Sequence, residues 1–156
     1  MSADLARELR LGLEELAIIR AQLSTIPLSA SASAGVIETA AACAMLHSFY
    51  TEIEKMLKRI AREWDRTEPS AGAWHKDLLT QMSAATTERP AVLSRQNVET
   101  LSEFLAFRHL FRGASIALMR WEKLSPLVEK TDETYRQTAA EIMAFIVYLE
   151  SIGRRA

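Results

Sequence analysis

The sequence predicts an all-α protein, an antiparallel bundle of about five helices. Apolar residues recur every three or four positions along several segments, as on one face of a helix, and no stretch alternates with period two over the length of a strand. Only five glycines and four prolines interrupt a chain rich in Ala, Leu, Glu, Arg and Met, the residues that favour helices. Packing these apolar faces against one another is the simplest way to bury them.

The first two predicted helices fill the N-terminal part of the chain. The first runs from about Ala3 to Ser24 and ends before Pro27, and the segment Ser29 to Gly35, rich in Ser and Ala, predicts a loop. The second is long, from about Ser33 to Trp64, and its apolar residues follow helical spacing. This stripe comprises Ile37, Ala41, Met45, Phe49, Ile53, Met56, Leu57, Ile60 and Trp64.

Three further helices are predicted in the rest of the chain. A short one spans about Trp74 to Met82, and Ser94 is the expected N-cap of a fourth. Ser125 and Pro126 pair an N-cap residue with a proline at the first helical position. The last helix is therefore expected to begin there and to end near Gly153.

Composition narrows the class of protein. A length of 156 residues suits a single domain over residues 1–156. The formal net charge of −1 gives no general attraction to nucleic acid, so an RNA contact would need a local arginine patch. The only cysteine, Cys43, is expected in the core.

No signal-peptide pattern and no membrane-length apolar run occur, so a cytoplasmic protein without membrane contact is expected. No metal or cofactor motif is found, and none is expected to bind.

The segment from Phe107 to Gly113 carries the strongest functional signal. Two arginines, Arg108 and Arg112, fall near the centre of an apolar arc of the fourth helix. A guanidinium there needs a carboxylate, a phosphate or a facing subunit, unless its stem reaches water at the helix edge. His109 lies beside both arginines, although a structural role is its simpler interpretation. The arc comprises Leu101, Phe104, Leu105, Phe107, Phe111, Leu118 and Met119.

From about residue 73 to 125 the chain resembles HepT-like proteins of the HEPN superfamily. The residues that carry the resemblance are Trp74, His75, Leu78, Leu79, Met82, Arg89, Pro90, Ser94, Leu101, Leu105, Phe107, Arg108, His109 and Arg112. HEPN proteins are small helical bundles, and many are dimeric, metal-independent ribonucleases that act as toxins beside a nucleotidyltransferase-like antitoxin. The resemblance therefore implies a homodimer, an RNA substrate and an antitoxin of that type as possible partners.

The HEPN signature is an arginine, a spacer of four to six residues and a histidine, and HepT proteins add a tyrosine two positions later. By this resemblance Arg108 takes the arginine position and would bind an RNA phosphate, supported by Arg112. The histidine position falls on Gly113 and the tyrosine position, a site of modification, on Ser115. His109, one helical turn before Gly113, is the nearest substitute for proton transfer. Because glycine cannot transfer a proton, the RNA-cleaving site is expected to be degenerate, with weak or no activity.

Two other functions fit the same residues. A non-catalytic helical module that binds a protein partner would present an exposed apolar groove. A structural dimer would use its arginines in salt bridges with carboxylates such as Glu103 or Glu122. A ribonuclease instead requires Arg108, Arg112 and His109 to converge in an open cleft.

Overall fold

A computed structural model describes residues 2–26, 35–70, 72–113, 115 and 118–153. The helices are α1 (Ser2–Leu23), α2 (Val36–Ile60), α3 (Trp74–Ser83), α4 (Arg95–Gly113) and α5 (Trp121–Gly153). A π-helical turn, Ala61–Asp65, continues α2. No strand occurs in these described ranges, so the all-α prediction and the number of helices are confirmed. Most of the predicted loop from Ser29 to Gly35 lies outside the described residues.

Two ion pairs along α1 show that it runs antiparallel to α5. In the first half of α1, Arg10 Nη2 donates to Glu150 Oε1 at 2.7 Å. Near its end, Arg20 pairs with Asp132. Buried apolar residues from all five helices form one hydrophobic core, and Cys43 belongs to it as predicted.

The predicted core stripe of α2 is wrong at its first turns. Ile37 is 82% exposed, and Ala41 is exposed as well. Arg59 pairs with Glu8, and Gly12, four residues later, lies against Met56, so α1 runs antiparallel to α2 with Leu23 opposite roughly residue 45. The first turns of α2 therefore extend beyond the end of α1, which leaves Ile37 without that neighbour.

The start of α4 follows the sequence prediction. Ser94 Oγ accepts a hydrogen bond from the Asn97 backbone N–H at 3.2 Å, which is the expected N-cap contact. The end of α4 differs from the prediction, in which the apolar arc continued to Leu118 and Met119. The helix stops at Gly113, and Leu118, beyond it, is 76% exposed rather than part of the core.

The predicted start of α5 at Ser125 is wrong, because the helix begins at Trp121 and contains Pro126. Proline at this position leaves the carbonyl of Glu122 without its helical N–H donor. Trp121 and Leu124 are buried in the core, and the earlier start is what places them there. Tertiary burial thus outweighs the local preference of a Ser-Pro pair for a helix start.

A buried ion pair fixes the loop after α3 to the π-helical turn. Arg89 Nε and Nη2 donate to the two carboxylate oxygens of Asp65 at 2.6 and 2.7 Å, and the Arg89 side chain is fully buried. Arg89 also donates to the carbonyls of Ala84, Pro90 and Gln81. Burial alone would raise the pKa of Asp65, but the hydrogen bonds from Arg89 and Gln81 outweigh it and lower this pKa below its usual value.

We expect Asp65→Asn to lower the free energy of unfolding by about 1–3 kcal/mol at pH 7, because Arg89 loses its counter-charge but keeps its carbonyl acceptors. The folded pKa of Asp65 is depressed, so its contribution is present above the unfolded pKa, near 4, and is lost as the pH falls below it. Urea unfolding at pH 7 and near pH 3 should show the difference between the two proteins shrinking at low pH. Asp77→Asn, on the exposed face of α3, is the control and should change little.

Candidate functional site

Arg108 lies in a buried polar network that joins three helices. The residue is 9% exposed. Its Nη2 lies 3.5 Å from Oε1 of Glu54 on α2, and its Nη1 lies 3.4 Å from Nε2 of His75 on α3. The other carboxylate oxygen of Glu54 lies 2.5 Å from Nδ1 of His75. The three side chains thus close a triangle in which each contacts the other two.

The contacts of this network assign one role to each ring nitrogen of His75. An arginine only donates, so Nε2 of His75 accepts from Arg108, and its Nδ1–H donates to Glu54. Glu54 and Arg108 bring one negative and one positive charge to the same buried cluster. One donor, Arg108 Nε, is buried without a hydrogen-bond partner among the described residues. A phosphate approaching Arg108 would have to compete with the carboxylate of Glu54.

The predicted pairing of Arg108 and Arg112 on one face is only partly correct. Arg108 is buried, whereas Arg112, one turn later, is exposed. The expected alternative of a carboxylate partner applies to Arg108, and that partner is Glu54. Glu103, one of the carboxylates considered from the sequence, instead binds Lys130 across α4 and α5 at 2.6 Å.

The other predicted site residues lie at the C-terminal end of α4. His109 is exposed, and its ring contacts that of His75, with centroids 5.1 Å apart and planes at 81°. Gly113 is the last residue of the helix and is exposed; a Cβ added there would meet nothing within 4 Å. Ser115 is also exposed. No acid or base side chain therefore stands at position 113.

A second histidine approaches this end of α4 from α2. The His47 ring packs on Phe111, with centroids 5.3 Å apart. Burial lowers the pKa of His47, and the positive charges of Arg108 and Arg112 lower it further. His47 is therefore neutral at pH 7, and its Nδ1 has no hydrogen-bond partner among the described residues.

The chain from Phe107 to Lys123 is locally basic. It contains four basic residues, Arg108, Arg112, Arg120 and Lys123, against the single acidic Glu122, in a protein whose net charge is −1. The last three of the basic residues are exposed, and none forms a salt bridge within the described part of the chain. This end of the bundle therefore offers positive charge to a ligand.

Sequence reasoning missed Glu54 as a member of this site and gave His75 only a local role. Glu54 is a buried carboxylate on a helix whose neighbouring turns contribute Tyr50, Ile53 and Leu57 to the core. A charged residue at such a position was the same signal that singled out Arg108. Its link to Arg108 depends on how α2 packs against α4, which periodicity does not give.

The described ranges contain no arrangement for a metal ion and no membrane-spanning helix. No group of three or more His, Cys, Asp or Glu side chains is arranged there to hold a metal ion. None of the helices so described is long and apolar enough to cross a membrane.

The fold is an all-α bundle of five helices, and its fourth helix carries a buried arginine near its end. The family model described as HepT-like protein matches residues 41–149. The chain therefore belongs to the HepT-like family of HEPN proteins, and Glu54, His75, Arg108 and Gly113 all lie inside the match. No curated protein and no solved structure matched the chain.

Proposed function

We propose that this protein is the HepT-like member of a toxin–antitoxin pair and that it binds RNA without cleaving it efficiently. The absence of efficient cleavage is inferred from Gly113, the last residue of α4, which takes the position of the family histidine by resemblance and supplies no acid or base there. The engagement of Arg108 by Glu54 and His75 supports the same conclusion, because the arginine expected to bind phosphate already has partners. The site residues and their degeneracy are part of this proposal.

RNA binding is assigned to the exposed basic residues between the end of α4 and the start of α5. Arg112 is the central one, since it follows His109 by three residues and lies on the same side of the helix. Its guanidinium can hold two phosphate oxygens at once. Arg120 and Lys123 extend the positive surface. Arg108 joins in phosphate binding only when the ligand displaces Glu54.

We expect Arg112→Ala to weaken binding of a single-stranded RNA and to reduce its salt dependence. Loss of one phosphate contact should lower the slope of log affinity against log salt concentration by about 0.7–1. Fluorescence anisotropy between roughly 50 and 200 mM salt measures this slope. Arg10→Ala is the matched control, because Arg10 is exposed but pairs with Glu150 at the far end of α5. Equal slopes for all three proteins would contradict the assignment.

A protein partner on the same end of the bundle is the second candidate function. Leu110 and Leu118 are 51% and 76% exposed beside the basic residues, and apolar side chains in such a position favour contact with another chain. The proposed partners are a second copy of this chain and a nucleotidyltransferase-type antitoxin. Light scattering that gives a single 17.5 kDa species at micromolar concentration would contradict the homodimer.

A further inference from the structure

His109 is the exposed end of a layered stack of side chains. The Lys58 ammonium lies 4.5 Å from the centroid of the Trp74 ring. The Trp74 and His75 rings stack with centroids 3.5 Å apart, and the His109 ring meets His75 edge to face. The stack therefore leads from α2, through the start of α3, to the surface of α4.

The members of the stack below His109 are held in place. His75 is fixed by Glu54 at 2.5 Å, and Lys58 forms a salt bridge with Glu68 at 2.9 Å. His109 thus rests on a ring that cannot turn easily, while its own residue is exposed. A ring oriented in advance loses little conformational freedom when a ligand stacks on it.

We propose that His109 is a stacking platform for an unpaired nucleobase, so that the RNA bound by this protein is single-stranded at this point. The proposal rests on the RNA binding proposed above and names the class of RNA. Arg112, three residues later, has its Cβ about 5–6 Å from that of His109, within reach of a phosphate of the same strand. Bases in a duplex have both faces covered, whereas unpaired bases stack on aromatic side chains, including histidine.

Three substitutions at His109 separate stacking from charge. With a short single-stranded oligoribonucleotide as the probe, His109→Ala and His109→Lys should each bind about 5- to 100-fold more weakly, because both lack a ring. His109→Phe should bind close to the unmodified protein, since it keeps a ring without the polar nitrogens. Affinity retained by His109→Lys and lost by His109→Phe would overturn the proposal in favour of charge or hydrogen bonding. Circular dichroism checks that each variant remains helical.

A second probe distinguishes this proposal from RNA binding itself. The same oligoribonucleotide with abasic positions keeps its phosphates and lacks the rings, and it should bind about as weakly to the unmodified protein as the base-containing RNA binds to His109→Ala. In NMR spectra the His109 ring protons should shift upfield with the base-containing RNA alone. Equal affinity for the two RNAs would overturn stacking and leave phosphate binding intact, whereas failure to bind either RNA would overturn the proposed function as well.

Discussion

Gly113→His should raise RNA cleavage at least about 100-fold over the unmodified protein, the gain expected from a positioned acid or base. The structure accommodates the substitution, because Gly113 is exposed at the last position of α4 and an added Cβ meets nothing within 4 Å. The new imidazole would be exposed at the end of α4, one helical turn after His109 and on the same side of the helix. Ser115→Tyr can be added to complete the family pattern.

Gly113→Ala is the matched control for this experiment. It adds a Cβ without an imidazole, gains at most roughly 0.5–1 kcal/mol of helix propensity, and should remain as inactive as the unmodified protein. Cleavage by Gly113→His should persist in the presence of a metal chelator. Strong cleavage by the unmodified protein that disappears in His109→Ala would contradict the proposed degeneracy and assign proton transfer to His109.

Glu54→Gln should be among the most destabilising single substitutions, costing about 3–5 kcal/mol of unfolding free energy. Glu54 and Arg108 are both buried, so the substitution leaves the arginine without its counter-charge inside the bundle. Replacing both, as Glu54→Leu with Arg108→Met, removes the two charges together. The double variant should lose much less stability than the sum of Glu54→Leu alone and Arg108→Met alone, and urea unfolding of these three variants and the unmodified protein gives the coupling energy.

The exposed salt bridge between Glu103 and Lys130 is the control for the buried pair of Glu54 and Arg108. Both side chains are about half exposed, although their separation of 2.6 Å is shorter than that between Glu54 and Arg108. Because solvent screens exposed pairs, Glu103→Gln should cost less than about 1 kcal/mol. Similar losses for Glu54→Gln and Glu103→Gln would show that burial of the network contributes nothing to its strength.

The fold was largely predictable because it depends on repeating local signals. Helical spacing of apolar residues located all five helices, and the N-cap at Ser94 followed from local chemistry alone. The start of α5 was not predictable in this way. The Ser125-Pro126 pair is a strong local signal, and it was overruled by the burial of Trp121 and Leu124, which depends on distant parts of the chain.

The candidate site was predictable only in part, for a similar reason. Periodicity indicated that Arg108 would need a partner, but the partner, Glu54, lies about a third of the chain away and is brought close by helix packing. Arg112 follows Arg108 by four residues, which rotates it about 40° around the helix axis. Near the end of α4 this rotation takes the side chain from the interior to solvent. A projection that treats the helix as uniformly covered cannot separate the two arginines.

The contacts at the two ends of α3 have a mechanical consequence. A helix of ten residues is marginal in isolation, yet α3 is tied to α2 through His75 and Glu54 at its start and to the π-helical turn through Gln81 and Asp65 at its end. With both ends tied, α2 and α3 should move as one body. Because Arg108 ties α4 to the same two helices, a ligand resting on His109 would contact a rigid support, and any adjustment to that ligand would have to come from the last turn of α4, after Arg108.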